Sequence, residues 1–122
     1  MAKVLVVDDE VTLRVLMEQI LASEGYEVVT AVDGQEGLLA FLECHPSLVI
    51  LDLMMPNMNG WQLLERIREI SDTPVIILSA LGHSSEKVTG LKRGAADYVA
   101  KPFRPGEFVA RVEATLRRSR QG

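Results

Sequence analysis

Three carboxylates, those of Asp8, Asp9 and Asp52, are the side chains of this sequence best placed to do chemistry. Asp52 ends the apolar run at 48–51 and is followed at once by a segment rich in Pro, Asn and Gly. Asp8 and Asp9 end a similar run at 4–7. Such runs are typical of buried parallel strands, whose carboxyl ends meet at one edge of a sheet. We therefore expect the three carboxylates to lie together and to form a metal or phosphoryl site.

Carboxylates this close repel one another, and a bound divalent cation is the simplest way to offset that repulsion. Ligation by oxygen atoms alone suits Mg²⁺ or Mn²⁺ rather than Zn²⁺. The hydroxyl of Ser79 and the ammonium of Lys101 each follow a later strand-like run and should reach the same edge. A metal ion and a cation that neutralise phosphate oxygens while a carboxylate attacks are the components of phosphoryl transfer. We expect Asp52 to be the nucleophile, and Asp8 and Asp9 to hold the metal.

Five strand-like runs alternate with amphipathic stretches along the chain. The predicted strands are Lys3–Val7, Glu27–Thr30, Leu48–Leu51, Pro74–Leu78 and Asp97–Ala100. Helices between and after them are predicted by five apolar faces: Leu13, Leu16, Met17, Ile20 and Leu21; Leu38, Phe41 and Leu42; Trp61, Leu64 and Ile67; Val88, Leu91 and Ala95; Phe108, Val109, Val112 and Leu116. This alternation predicts an α/β fold, a parallel sheet with helices on both faces. We expect the flavodoxin-like doubly wound sheet, with strand order 2-1-3-4-5.

The composition fits one globular domain over residues 1–122. Of the 122 residues, 48% are hydrophobic and 25% are charged, which is enough apolar material for a core. The formal net charge of −4 argues against a nucleic-acid surface, and no apolar run is long enough for a membrane span. A single cysteine, Cys44, and the absence of a signal-peptide pattern after Met1 favour a cytoplasmic protein.

Five motifs of the chain resemble those of the receiver domain of two-component response regulators. In chain order they are Val6-Val7-Asp8-Asp9-Glu10, Leu51-Asp52-Leu53-Met54-Met55-Pro56 with Asn59-Gly60, Leu78-Ser79-Ala80, Gly94-Ala95-Ala96-Asp97-Tyr98, and Lys101-Pro102-Phe103. Each motif alone is a weak signal. Together they follow the order and spacing of the family across the whole chain, which makes the resemblance specific.

The resemblance implies a phosphorylation-controlled switch rather than an enzyme acting on a separate substrate. Asp52 would accept a phosphoryl group from a sensor histidine kinase or a phosphotransfer protein, and the domain would catalyse only its own phosphorylation and dephosphorylation. Asp8, Asp9, Asp52 and the backbone carbonyl of Met54 would bind Mg²⁺.

The same resemblance assigns roles around the phosphoryl group. Ser79, Lys101 and the backbone N–H of Ala80 would bind it, and Tyr98 would be the aromatic residue that changes conformation in the switch. The peptide bond before Pro102 would be cis, an isomer that in proteins is largely confined to bonds before proline.

The closest subfamily resemblance is to the OmpR/PhoB-like DNA-binding regulators. Four charged residues match positions that form ion pairs across a dimer of the phosphorylated domain: Lys87, Asp97, Glu107 and Arg111. One departure is Ala96, where the subfamily usually has an acid that pairs with a basic residue near Arg118. Residues 117–122 could begin a linker to an absent DNA-binding domain. A stand-alone chemotaxis-type receiver is the alternative.

Two other classes of protein fit the residues less well. A Mg²⁺-dependent phosphatase of the haloacid-dehalogenase kind would have a second Asp where this chain has Met54, and usually a cap insertion. A flavodoxin-like cofactor binder would need a hydroxyl-rich or Gly-rich loop where this chain has Asp8-Asp9-Glu10.

Taken singly, Asp8 or Asp9 could also be a helix N-cap.

Overall fold

The computed structural model describes residues 2–80 and 84–121. Strands and helices alternate in the order β1 (Lys3–Val7), α1 (Val11–Ser23), β2 (Glu27–Ala31), α2 (Gly34–Cys44), β3 (Leu48–Asp52), α3 (Gly60–Ile70), β4 (Val75–Ser79), α4 (Ser84–Lys92), β5 (Asp97–Ala100) and α5 (Pro105–Gln121). The strands form one parallel sheet in the order β2-β1-β3-β4-β5. The predicted flavodoxin-like topology is therefore confirmed.

Strand boundaries differ from the predicted ones by one residue at four strand ends. β2 extends to Ala31, and β3 includes Asp52, which pairs with Leu78 of β4. β4 begins at Val75 rather than Pro74, whose ring nitrogen has no hydrogen to donate to the ladder, and ends at Ser79. Asp52 and Ser79 are thus the last residues of neighbouring strands, and the sheet itself fixes their positions.

The sheet separates two apolar clusters, one on each face. Side chains that alternate along β1, β3 and β4 point to opposite faces, as the pleat requires. One cluster packs with α2 and α3, through Phe41, Leu63 and Ile67, and the other with α1 and α5, through Met17 and Phe108. Because β3 and β4 are covered on both faces, all their residues are buried, which explains their unbroken apolar runs.

Several residues assigned to the apolar helix faces lie in solvent. Leu16 of α1, Leu42 of α2, and Val88 and Leu91 of α4 are exposed, although the neighbouring face residues of α1 and α2 are at least partly buried. Ala95 is buried but lies beyond the end of α4. Periodicity alone does not separate a buried apolar residue from a solvated one at these four positions, Leu16, Leu42, Val88 and Leu91.

Two further expectations concern the ends and length of the helices. Residues 117–121, which could begin a linker, continue α5, and Gly122 lies outside the described residues. No helix in the part of the chain that the structure describes is long and apolar enough to cross a membrane.

Candidate phosphoryl and metal site

The three carboxylates meet at the carboxyl edge of the sheet, as the sequence predicts. Oxygen atoms of Asp8, Asp9 and Asp52 lie within 4.8 Å of one another. Asp8 directly follows β1, and Asp52 ends the adjacent strand β3. Asp8 is fully buried and Asp52 is 5% exposed, whereas Asp9 faces solvent. Asp8 and Asp52 therefore form the buried part of the cluster. Asp9 lies on its solvent side, from which an ion or a phosphate could enter.

Backbone contacts hold the turn that carries Asp8 and Asp9. The N–H of Glu10 donates to Asp8 Oδ1 over 2.9 Å, and Arg14 Nη1 donates to the Asp8 carbonyl over 2.7 Å. The N-cap residue of α1 is Glu10, which makes no side-chain cap bond. Neither Asp8 nor Asp9 is the N-cap residue, so the capping interpretation of these residues is wrong. Arg14 was not among the predicted residues, because a bond to a backbone carbonyl leaves no sequence signal.

Lys101 reaches into the cluster from the end of β5. Its Nζ lies 3.2 Å from Asp8 Oδ2 and 3.3 Å from Asp52 Oδ2, and its side chain is only 15% exposed. The Lys101 N–H donates to the Ser79 carbonyl over 2.8 Å, and the Lys101–Pro102 peptide bond is cis. The ammonium thus lies against both buried carboxylates.

Burial and neighbouring charges shift the pKa values of Asp52 and Lys101. Burial raises the pKa of Asp52, the charge of Lys101 opposes that rise, and the charge of Asp8 adds to it, so that the pKa stays above its ordinary value. Burial alone would lower the pKa of Lys101, but the charges of Asp8 and Asp52 outweigh burial and raise it. Lys101 therefore remains a cation at neutral pH and compensates only part of the negative charge.

The donor set fits a hard divalent cation. Three carboxylates converge, and Asp8 Oδ2 is buried without a hydrogen bond from any described residue, although Lys101 lies near it. The single ammonium of Lys101 cannot offset three carboxylates, so a further cation would lower the cost of burying them. Asp8, Asp9 and Asp52 could hold such an ion, and oxygen ligands of this kind favour Mg²⁺ or Mn²⁺.

The loop after Asp52 turns back over the strand end. The Gly60 N–H donates to the Leu53 carbonyl over 3.0 Å, and Asn59 caps α3 in a capping box with Gln62. A Cβ atom at Gly60 would lie 2.3 Å from the Asp52 carbonyl oxygen, so only glycine fits. Met54 lies in this loop with its side chain exposed, and its N–H is 3.5 Å from Asp52 Oδ1.

The predicted switch residues Ser79, Ala80 and Tyr98 lie on or just after β4 and β5, the strands that follow β3 in the sheet. Ser79 is buried at the end of β4 next to the exposed Ala80, and Tyr98 is buried in the middle of β5. The Tyr98 hydroxyl donates to Glu86 of α4, a residue that sequence reasoning missed because the contact joins two distant elements. Glu86 also borders a cavity of about 440 Å³ together with Met54 and Asp9. Tyr98 is thereby linked through Glu86 to the cavity that Asp9 borders.

The four residues expected at a dimer interface lie on α4, β5 and α5. Arg111 Nη1 contacts both carboxylate oxygens of Asp97, at 3.1 and 3.0 Å, and Arg111 Nε lies 3.8 Å from Glu107 Oε1. Lys87 is exposed on α4. Within one chain, Arg111 therefore already engages two acids expected to form pairs across a dimer.

A family model for the response regulator receiver domain matches residues 4–113. The chain belongs to that family. A receiver domain is the regulated switch of a two-component signalling system, so the family fits the strand-end cluster of carboxylates and lysine described above. The match covers β1 to most of α5, and with it every element that contributes to the cluster.

Relatives of the receiver domain include transcriptional regulators. The probable transcriptional regulator ycf27 of Cyanophora paradoxa is 50% identical over 117 residues, which cover 96% of this chain and 49% of that protein. The transcriptional regulatory protein ResD of Bacillus subtilis (strain 168) is 44% identical over 119 residues, which cover 98% of this chain and 50% of ResD. The chain spans about half the length of the curated relatives it matches.

Solved receiver structures share the fold. The Francisella response regulator 1452 receiver domain superposes with a TM-score of 0.93 at 36% identity, covering 98% of this chain and 99% of that chain. The Vibrio cholerae chemotaxis protein CheY4 superposes with a TM-score of 0.89 at 33% identity, covering 94% of this chain and 98% of that chain.

Proposed function

We propose that Asp52 accepts a phosphoryl group from a sensor histidine kinase or a phosphotransfer protein in the cytoplasm. The observation that carries the proposal is the buried Asp52 carboxylate, whose Oδ2 lies 3.3 Å from Lys101 Nζ and beside two further acids. An Asp52 oxygen forms a bond to phosphorus while the bond from phosphorus to the donor nitrogen breaks, and the imidazole of the donor leaves. Hydrolysis of the resulting acyl phosphate returns the free carboxylate. The domain thus catalyses only its own modification.

Asp8, Asp9, Asp52 and the backbone carbonyl of Met54 would hold Mg²⁺ or Mn²⁺. When bound, the ion supplies positive charge that offsets the repulsion between the carboxylates and an incoming phosphate. Lys101 supplies a second positive charge beside Asp8 and Asp52. Since its ammonium already contacts both buried acids, it is positioned before the phosphate arrives.

Phosphorylation would change the conformation of the domain through four residues: Ser79, Ala80, Lys101 and Tyr98. Ser79 and the Ala80 N–H would bind phosphoryl oxygens, and Lys101 would turn from the carboxylates toward the new charge. Tyr98 would then favour one of two arrangements of α4 and β5. Burial of Tyr98 and its bond to Glu86 support this route, because they join β5, the strand that Lys101 follows, to α4.

Transcription is the output best supported by the relatives, which are named as transcriptional regulators, and the receiver would act on it through a DNA-binding domain. The activated receiver would dimerise through α4, β5 and α5, exchanging the Arg111–Asp97 pair within the chain for pairs with a second copy. A stand-alone chemotaxis-type receiver is the second candidate. Ala96, which removes one expected interface charge, is the observation that favours it.

The test is phosphorylation by acetyl phosphate with Mg²⁺, followed by reductive trapping and mass spectrometry of the peptides. We expect one modified residue, Asp52, in the wild type, and none in Asp52→Asn or in wild type treated with a chelator. Glu10→Gln, which removes an exposed carboxylate next to the cluster, should still be labelled. Label on Asp52→Asn equal to that on wild type would contradict the proposal.

A further inference from the structure

The loop between β3 and α3 is joined to the start of α2. The N–H of Gly34 donates to the Met58 carbonyl over 3.0 Å, and Asn57 Nδ2 donates to Asp33 Oδ2 over 2.9 Å. A Cβ atom at Gly34 would lie 2.0 Å from the Met58 carbonyl oxygen, so the two segments touch through their backbones. These contacts lie outside the cluster of carboxylates, and the proposed phosphoryl transfer does not use them.

The Asp33 carboxylate is shared between two elements. Its Oδ1 accepts the Glu36 N–H over 2.8 Å and caps α2, while its Oδ2 accepts from Asn57. The hydrogen bonds from the Glu36 backbone and from Asn57 lower the pKa of Asp33 and keep it an ionised acceptor. Asn57 has a φ of 66°, a left-handed conformation that Asn and Asp tolerate better than other residues with a Cβ.

Met54 lies between two anchors of this loop. One anchor is the Gly60–Leu53 hydrogen bond at the strand end, and the other joins the loop to the start of α2 through the Asn57–Asp33 bond and the adjacent Gly34–Met58 backbone bond. Since the Met54 side chain is exposed, its packing does not fix the backbone, and the position of its carbonyl depends on these anchors. A shift of the contacts between this loop and the start of α2 would therefore move the loop backbone that faces the metal site.

We propose that Asp33 and Asn57 are a positioning pair that holds the phosphoacceptor loop in its metal-binding conformation. The inference rests on the proposed function, since it assigns the Met54 carbonyl to the metal. The pair would make Mg²⁺ affinity depend on Asp33 at the start of α2, although α2 contributes no metal ligand.

Asn57→Asp tests the pair, because the sign of the effect separates two explanations. The substitution keeps the size and the backbone preference of the side chain but removes the donor and sets a second carboxylate against Asp33. Added negative charge alone would strengthen Mg²⁺ binding, whereas displacement of the loop would weaken it. We expect binding about threefold to tenfold weaker, the range that loss of one hydrogen bond to a charged group can produce.

Two variants control this measurement. Gln62→Glu adds the same charge in the next helix and keeps the capping box, so its Mg²⁺ affinity should equal or exceed that of wild type. The double variant Asp33→Asn with Asn57→Asp reverses the direction of the bond at unchanged net charge and keeps a good N-cap residue. We expect its affinity to return to within about twofold of wild type, less than the loss expected from one hydrogen bond.

Mg²⁺ affinity is measured by calorimetric titration and by the fluorescence of Trp61, which borders the same cavity as Met54. Urea unfolding in the presence of a chelator gives the stability of each variant. An Asn57→Asp affinity equal to or tighter than wild type overturns the positioning role. So does a double variant that regains stability but not affinity. If Asp9→Ala weakens binding while Asn57→Asp does not, the metal site stands and only the pair fails; unchanged affinity in Asp9→Ala contradicts both proposals.

Discussion

At the scale of single residues, the negative charge of the three carboxylates is only partly compensated by Lys101. Lys101 contacts Asp8 and Asp52, yet the pKa of Asp52 remains raised, chiefly because the carboxylate is buried. The folded protein therefore keeps a carboxylate in an environment that favours its neutral form. This arrangement costs stability, but it leaves room at the site for additional positive charge.

Replacing Asp52 with Asn should stabilise the protein when no metal is present. Because the pKa of Asp52 is higher in the folded protein than in the unfolded chain, ionisation is less favourable after folding. The penalty is absent below the unfolded pKa of about 4 and grows as the pH rises through the folded pKa. We expect Asp52→Asn to be more stable by about 0.5–2 kcal/mol at pH 7. The advantage should vanish as the pH falls to about 4.

Urea unfolding with a chelator, measured from low to neutral pH, checks this expectation. Asp9→Asn is the matched control, because Asp9 belongs to the same cluster but is exposed, and its replacement should change the stability less. An Asp52→Asn protein less stable than wild type at pH 7 would show that the salt bridge to Lys101 outweighs the cost of burial.

The residues at strand ends could be predicted because topology alone places them. Asp8, Asp52, Ser79 and Lys101 each end or follow a strand, and parallel strands end at one edge. Glu86 could not be predicted in this way. Its contact with Tyr98 depends on how α4 lies across β5, and no periodic pattern of residue types records that orientation.

At the scale of elements, α4 differs from the other helices in how it packs. Its one buried residue is Gly90, and a Cβ atom there would lie 2.7 Å from Ile77 Cδ1. The Arg93 guanidinium lies over the Trp61 ring, 5.0 Å from its centroid. The helix is thus held by its backbone and by polar contacts instead of a buried apolar stripe. This also explains why the predicted face of Val88 and Leu91 is wrong: both side chains are exposed.

Gly90→Ala should destabilise the protein, although the same change in a helix usually stabilises it. The added methyl group would displace Ile77 or lift α4 from β4, and overpacking of this kind costs about 1–3 kcal/mol. Gly106→Ala on α5 is the control, because nothing lies within 4 Å of its added Cβ. We expect the stability of Gly106→Ala to equal or exceed that of wild type. Chemical unfolding measures both, and a stabilised Gly90→Ala would contradict the close contact.

At the scale of the whole molecule, charges expected at a dimer surface of α4, β5 and α5 already pair within the chain. The Arg111–Asp97 pair is closed within one chain, with the side chains 37% and 17% exposed. Exposed ion pairs contribute only about 0.2–1 kcal/mol each, so exchanging them for pairs with a second copy gains little. A dimer needs apolar contact as well, and the exposed Val88 and Leu91 of α4 offer it. The apolar pattern of the sequence could not reveal that these side chains face outward.

Ala96→Asp should strengthen dimerisation of the activated protein. Ala96 is exposed beside Asp97, and Arg118, also exposed, makes a 3.3 Å contact with Thr115 of its own helix. An acid at position 96 could pair with Arg118 of a second copy, and a two-fold axis would form that pair twice. Two exposed pairs contribute about 0.4–2 kcal/mol together, which is roughly a twofold to thirtyfold lower dissociation constant. The gain should shrink at high salt, which screens exposed charges.

Sedimentation velocity with and without beryllofluoride, which stands in for the phosphoryl group on Asp52, measures this effect in low and high salt. Gln19→Glu on α1 adds the same charge at an exposed site on another surface, and it should leave association unchanged. Arg111→Glu should weaken the dimer, since it removes the partner of Asp97 and sets like charges together. A dimer unchanged by both Ala96→Asp and Arg111→Glu would mean that association uses another face. A protein that stays monomeric when activated in low salt, with Ala96→Asp included, would favour the stand-alone receiver.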